Sequence, residues 1–535
     1  MVLHSLHDLD PTQGTVRLHL ADNNSPIVLV PRPSENDPND PLNWSRRKKR
    51  VAFLSVCAFA FLTNFGIGGL TPAFYILSLE FGKTQVETGA LLLWPVLTLG
   101  LFNFFWVPIA NYYGKRPVFV FACALLCACS MWGALADTFE SLLWSLIIAA
   151  FAGSSTEALG ASIANDLYFL HERGSVMGIY MNFISGGNTI GPLICGFIVS
   201  EYSWRWHKWM TFILTMVNFM AVVFLMPETT WVRHSPNPVD PDSGTSRGPT
   251  PRPAGRSDAE KAIGSANARG ARSSLGHTAE SPAALNLPKK SWTEEISVWP
   301  VVSRDTSLVK LFFRPFPMWS YPCVIFAFLA YAVSLQMTVA VNILNPFVLQ
   351  APPYNWSPMA NGLINIPGLI GNLFGSVLGG WVVDRFCDWK TKRNNGVYEP
   401  ENRLWLCLVP LLISGSGCLL FGYGVEKTMN WASLFFGYGM ISVALTAVPT
   451  ITMAYVSDCL LPVNSDALML VNGTKNFVCF FFSASVLIWV QMVGYAEAFG
   501  TTAGVFALIM GGGMALLIPF GARIRHRQAN WRIIL

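Results

Sequence analysis

A run of about 20 apolar residues is what a helix needs to cross the hydrocarbon of a bilayer. This chain holds about twelve such runs, in two blocks of six. The first block covers residues 51–78, 87–110, 117–136, 141–165, 175–200 and 207–227; the second covers 318–349, 358–383, 402–423, 430–456, 466–493 and 498–522. Only 13% of the 535 residues are charged, about half the share of an ordinary soluble domain. The runs are continuous rather than alternating, which excludes a transmembrane β-barrel. The fold class is therefore an all-α polytopic membrane protein of two six-helix bundles. The expected divisions are a tail over 1–50, a bundle over 51–227, a linker over 228–317, a second bundle over 318–522 and a tail over 523–535. The linker, rich in Pro, Ser, Gly and Arg at 232–292, has too little apolar content to fold and is expected to be largely disordered. The polar, acidic N-terminus gives no cleavable signal peptide.

Charge sets the expected orientation. Arg46, Arg47, Lys48, Lys49 and Arg50 precede the first run, and Lys115, Arg116, Arg173, Arg385, Lys390, Lys392, Arg393, Arg523, Arg525 and Arg527 fall on the same side. The opposite side is sparser and balanced, with Lys83, Asp137, Glu140, Glu201, Arg205, Lys208, Glu426, Lys427 and Glu497. Both termini and the central loop are thus expected in the cytoplasm. The eleven cysteines lie within or beside apolar runs, so packing rather than disulfides or metal binding is expected of them.

The segment Gly178–Gly196, reading GIYMNFISGGNTIGPLICG, carries Gly178, Gly187, Gly191, Pro192 and Gly196 in one membrane-length run. In a soluble helix each interior glycine costs roughly 1 kcal/mol. In lipid, small residues let helices approach closely and neighbours satisfy the backbone around a proline. A bending, tightly packed gate helix is expected, which points to transport. Gly114, Lys115 and Arg116 supply a tight turn with fixed positive charge after the second run, and Gly380, Asp384 and Arg385 occupy the equivalent place in the second half. Cations there are suited to latching helix C-termini and acidic partners in one state.

With these motifs the chain resembles the major facilitator superfamily. The glycine series is similar to that family's fifth-helix antiporter pattern, with Cys195 where a glycine is usual, and the two loops resemble its signature turn. Asn111 stands where that turn places an aspartate and Tyr112 where it places a base, so a weaker or differently wired first latch is expected. Asp37 to Ser45, Glu157-Ala158-Leu159, His171 to Gly174 and Pro227 to Thr230 are similar to the fungal twelve-helix drug:proton antiporter branch. The arginine that the family usually carries early in helix four is missing from Ser145–Gly153, so coupling schemes built on it do not carry over.

Ionisable residues are expensive in hydrocarbon, roughly 2.5–3.5 kcal/mol on insertion scales, and so normally face a cavity and serve a function. Glu157, among small residues in AFAGSSTEALGAS, is the first candidate, as a proton or cation site; a structural carboxyl bonded to Ser154, Ser155 or another helix is the alternative. Lys475 is the second. It sits about two turns inside the helix from Asp466, so snorkelling to the surface competes with a cavity role. Asn472 and Asn476 share its helix face. Asn64, Gln336 and Asn342 are further binding candidates, and Asn361, Asn365 and Asn372 are candidate cavity or interhelical residues. Trp94 and Tyr331 are candidate aromatic liners, whereas Trp204, Trp206 and Trp209 read as an interfacial belt. Asp166, Glu172, Asp458 and Asp466 read as loop or latch carboxylates.

The sequence carries no HExxH, Walker A or clustered His/Cys pattern, so neither an enzyme nor an ATP-driven pump is expected. The expected function is a secondary transporter with no cofactor, powered by the proton gradient. It would export small organic compounds by antiport as a monomer, in the plasma membrane or alternatively the vacuolar membrane. Its partners would be substrate, protons and the bilayer, with no nucleic acid. The alternatives are proton-coupled import of organic cations such as polyamines and, from another class, a non-transporting nutrient sensor.

Overall fold

The computed structural model describes residues 16–17, 37–169, 172–230, 291, 294, 308–352, 354–394, 397–460 and 463–529. The expected disordered linker core and His171 lie, Ser291 apart, outside the described residues. Among the described residues, twelve helices are long and apolar enough to cross a membrane: α1 (Arg46–Glu80), α2 (Gln85–Tyr113), α3 (Lys115–Ala134), α4 (Phe139–Leu167), α5 (Arg173–Glu201), α6 (Arg205–Leu225), α7 (Pro322–Leu349), α8 (Pro358–Arg393), α9 (Pro400–Glu426), α10 (Trp431–Cys459), α11 (Asn464–Val493) and α12 (Tyr495–Gln528). The helices outrun the apolar segments at several ends: α1 starts before 51, α8 continues beyond 383 and α12 runs into the expected tail. Hydropathy marks only the part suited to hydrocarbon, while caps and end charges carry a helix further. Ser45 Oγ, for instance, accepts from Lys48 N at 3.4 Å at the start of α1. Leu308–Phe313, within the expected linker, is helical, and a 3-10 turn at Phe316–Ser320 crosses its expected end at 317.

α1–α6 pack among themselves, as do α7–α12, and the two halves meet where α2 and α4 pack on α11, and α5 on α8 and α10. The apolar windows of α1, α4, α7 and α10 are 78, 72, 83 and 78% buried, against 28, 39 and 28% for α6, α9 and α12. The first set therefore forms the centre and the second the periphery. The described tail residues Val16–Arg17 (β1) pair antiparallel with Val397–Tyr398 (β2), between α8 and α9.

Two local features shape the N-terminal half. Gly114 adopts φ 100° and closes α2 while opening α3, a left-handed turn that a side chain would strain. α1 stops being α-helical at Gly68, passes through a 3-10 turn at Thr71–Ala73 and resumes at Phe74. Lys208, expected in the sparse loop charge, is instead buried, and its Nζ donates to the Gly66 carbonyl at 2.5 Å. A cation there complements the negative end of the interrupted helix. Trp204 also departs from the expected belt: it is buried and its Nε1 donates to Glu80 Oε2 at 2.9 Å, while Trp206 is exposed. All eleven cysteines are buried and unpaired.

α5 is one continuous helix gripped on two faces. A Cβ on Gly187 would lie 2.4 Å from Phe61 O, and one on Gly191 would lie 2.9 Å from Gly69 Cα, both in α1. On the face toward α8, a Cβ on Gly178 would lie 2.9 Å from Ser376 O and 3.4 Å from Gly380 Cα, and one on Gly196 would lie 2.9 Å from Gly362 Cα. Small residues thus let the fifth helix touch backbone in both halves of the molecule.

Candidate functional site: a central cavity and a charged latch

A narrow cavity lies between the halves. α4 brings Glu157 to it, and α11 brings Lys475 and Asn476. Asn64 of α1, Asn342 of α7 and Tyr331 of α7 also line it, with Leu and Val side chains completing the wall. Glu157 is 4% exposed and Lys475 1%. Lys475 Nζ sits 3.3 Å from Glu157 Oε2 and 4.0 Å from the centroid of the Tyr331 ring. Asn476 Nδ2 donates to the same Oε2 at 2.7 Å, and Asn472 Nδ2 to the Glu157 backbone carbonyl at 2.8 Å. The i,i+3 and i,i+4 spacing that places three polar groups on one face of α11 aims them all at one residue of α4. Removing one member of such a buried pair leaves the other charge unpaired, at about 3–5 kcal/mol. Among the described residues Glu157 Oε1 accepts no hydrogen bond, so a cavity-lining residue keeps one carboxylate oxygen open to a donor.

Lys475 therefore does not snorkel. Ser154 and Ser155 do not hold Glu157 either: their hydroxyls bond back to Phe151 O and Ala152 O in their own helix. Asn64 lines the cavity and accepts from Asn188 Nδ2 at 3.3 Å, and Asn342 accepts from the Tyr438 hydroxyl at 3.0 Å. Gln336 is buried but does not line the cavity, since it points to another face of α7. Trp94 is 47% exposed on the outer surface, so of the two aromatic candidates only Tyr331 reaches the cavity. Asn188 is a liner missed from sequence, although it stands inside the glycine series of α5. Asn361 and Asn365 line a smaller chamber with Thr71 and Asn345, and Asn372 Nδ2 bonds Ser185 O at 3.4 Å across the halves.

A second constellation closes the end that carries both termini. Asp384 of α8 accepts from Ser175 N at 2.7 Å, Ser175 Oγ at 2.9 Å and Arg403 at 2.9 Å. Asp458 of α10 accepts from Arg173 at 3.0 Å, Arg403 Nε at 2.8 Å and the Tyr398 hydroxyl at 2.6 Å. Arg173 and Ser175 belong to one half, the remaining groups to the other, so the cluster bolts the bundles together. Burial pushes the Tyr398 hydroxyl well above its usual range and keeps it a donor. Asp384, expected to form a latch with Arg385, has Arg403 as its cation instead; Arg385 is exposed and makes no ion pair among the described residues. Arg385 follows Asp384 directly on a helix, and adjacent residues diverge by about 100°.

The first-half motif is wired differently. Lys115 pairs with Asp166 and donates to Ser162 Oγ at 2.8 Å. Arg116 donates to Val223 O at 2.7 Å and Met226 O at 2.8 Å, at the C-terminal end of α6. Glu228 accepts from the backbone N of Lys115 and Arg116, at 3.1 and 2.9 Å. These bonds tie α3, α4 and α6 within one half. Asp466, read as a loop or latch carboxylate, pairs with Arg314 at 2.5 Å, also within one half.

The family model of the Major Facilitator Superfamily matches residues 55–474. The chain belongs to this superfamily. Its relatives include an uncharacterised MFS-type transporter of Schizosaccharomyces pombe, 27% identical over 94% of this chain and 89% of that one. Protein HOL1 of Saccharomyces cerevisiae is 25% identical over 95% and 92%. The MFS antiporter QDR3 of Candida albicans is 22% identical over 90% and 78%. Among solved structures, the proton:xylose symporter XylE superposes with a TM-score of 0.60 at 12% identity, covering 89% of this chain and 96% of that one. The transporter fold and the integral membrane setting follow, and the relatives are fungal.

Proposed function

We propose that this superfamily member is a proton-coupled antiporter that exports small organic compounds, in the plasma membrane with both termini in the cytoplasm. The single observation that carries the reading is the Glu157–Lys475 pair, buried at the junction of the halves and lining the central cavity. Glu157 is the proton or cation site, Lys475, Asn472 and Asn476 are its polar partners, and α5 with its glycines is the gate. The printed name of the QDR3 relative, an antiporter, supports the direction. The second reading, import of organic cations, draws on the open Glu157 oxygen and the Tyr331 face, both of which suit a cation. On this reading the proton gradient supplies the work and the carrier acts as a monomer.

The test is transport of organic cations and neutral drugs by purified protein in liposomes, with and without an imposed pH gradient, for wild type and Glu157→Gln. Substrate moving against the proton flow, with coupling lost in the variant, is the expected result. Substrate moving with protons selects the importer. Coupling that survives Glu157→Gln removes the carboxyl from the mechanism.

A further inference from the structure

We infer that Lys475 is a tethered stand-in for the substrate's cation: its ammonium occupies Glu157 in the empty carrier and leaves when an organic cation arrives. This rests on the second reading, in which Glu157 binds an imported organic cation and the unloaded carrier has to return. Three observations carry it. The ammonium binds only one of the two carboxylate oxygens, and loosely, at 3.3 Å, whereas Asn476 holds that same oxygen at 2.7 Å. The ammonium has a second partner that does not depend on Glu157, because it already lies 4.0 Å from the centroid of the Tyr331 ring, whose π face holds a cation. Finally, the pair crosses the halves, with Glu157 on α4 and Lys475 on α11, so the charge state of the carboxylate and the docking of the bundles are one event.

The device solves a problem set by the bilayer. A lone carboxylate at this depth would hinder reorientation of the unloaded carrier, because an ionised group in a low-dielectric setting needs a partner. With Lys475 in place the empty carrier is neutral at this point and can rock. With substrate in place the carboxylate is paired again, and Lys475 keeps the Tyr331 ring as its partner. Lys475 is thus a specificity-determining competitor. It excludes weak cations, and by mass action its occupancy reduces apparent affinity by the fraction of time the carboxylate is taken.

The experiment uses the full chain in liposomes with radiolabelled tetraphenylphosphonium as probe, on wild type, Lys475→Gln, Lys475→Met and Glu157→Gln. If the ammonium holds the carboxylate about nine-tenths of the time, removing it tightens probe binding about tenfold. The same variants should lose net flux, since the empty carrier no longer returns, while exchange of internal for external probe continues. Two variants of different polarity, each checked for a monodisperse folded peak, separate this signature from misfolding. Weaker binding in both lysine variants, or equal loss of exchange and net flux, overturns the inference while leaving Glu157 as a cation site. Probe binding unaffected by Glu157→Gln overturns both readings.

Discussion

Replacing Asp384 by Asn tests the terminal-side latch with almost no change of shape. The carboxylate accepts two bonds from Ser175 across the halves and one from Arg403, and every partner is a donor. An amide in that place must turn its NH2 toward one of those donors. Hydrogen bonds to a charged group are worth about 1.5–3 kcal/mol each. Both Ser175 bonds end on Oδ2, so they do not add fully, and the net loss for the closed state is about 2–3 kcal/mol. That corresponds to roughly a 30- to 150-fold rise in the population open at this end, because Arg173–Asp458 still holds. The assay is the rate of thiol labelling at Ser376→Cys, a half-buried site whose native hydroxyl donates to Gly178 O at 2.8 Å across the same seam. The reporter is common to both backgrounds, and the buried native cysteines give little signal. Labelling should quicken in Asp384→Asn and stay unchanged in Arg385→Ala. Equal rates in parent and Asp384→Asn, or acceleration by Arg385→Ala alone, would refute the wiring.

Gly187→Ala should lower the melting temperature and transport together, since its Cβ meets Phe61 O at 2.4 Å and overpacking costs about 1–3 kcal/mol. Its neighbour is the control: Gly186→Ala has nothing nearer than 3.8 Å and should behave as wild type in the same thermal-shift assay. Lys208→Met should melt at or above the wild-type temperature, because a buried charge with one carbonyl partner is poorly repaid; a clear fall would show that the helix-end interaction dominates. Tyr398→Phe should raise Ser376→Cys labelling less than Asp384→Asn does, since Arg173 and Arg403 still reach Asp458. In the Ser376→Cys parent that labelling should stay flat as pH passes about 10, the usual tyrosine range, because burial holds the Tyr398 hydroxyl well above it.

Hydropathy made the twelve helices and the six-plus-six division legible, because bilayer thickness fixes a length that side chains report directly. Glu157 and Lys475 were legible one at a time, as charges in apolar runs. That they touch was not, since Glu157 and Lys475 lie 318 positions apart in the numbering and only the docking of α4 on α11 joins them. The same limit explains Arg403 and Arg173. A basic residue near a helix end satisfies the orientation rule whatever it bonds, so Arg403 as the partner of Asp384 carries no local signal. Trp94 failed for another reason: an aromatic in a spanning helix suits lipid as well as a cavity, and only the rotation of α2 decides.

The two glycine contacts of α5 on α8 give the pair a mechanical meaning. Gly178 and Gly196 are separated by about 27 Å of helix at 1.5 Å per residue, and each rests on the backbone of the same neighbour. Two fixed points on one rod make a lever with a choice of fulcrum. Parting the helices by about 6 Å at one contact needs only about 13° of tilt about the other, with no stretch of either helix. A crowbar of this kind cannot lift both ends at once without losing its pivot. While either contact holds, only the opposite end is free to part.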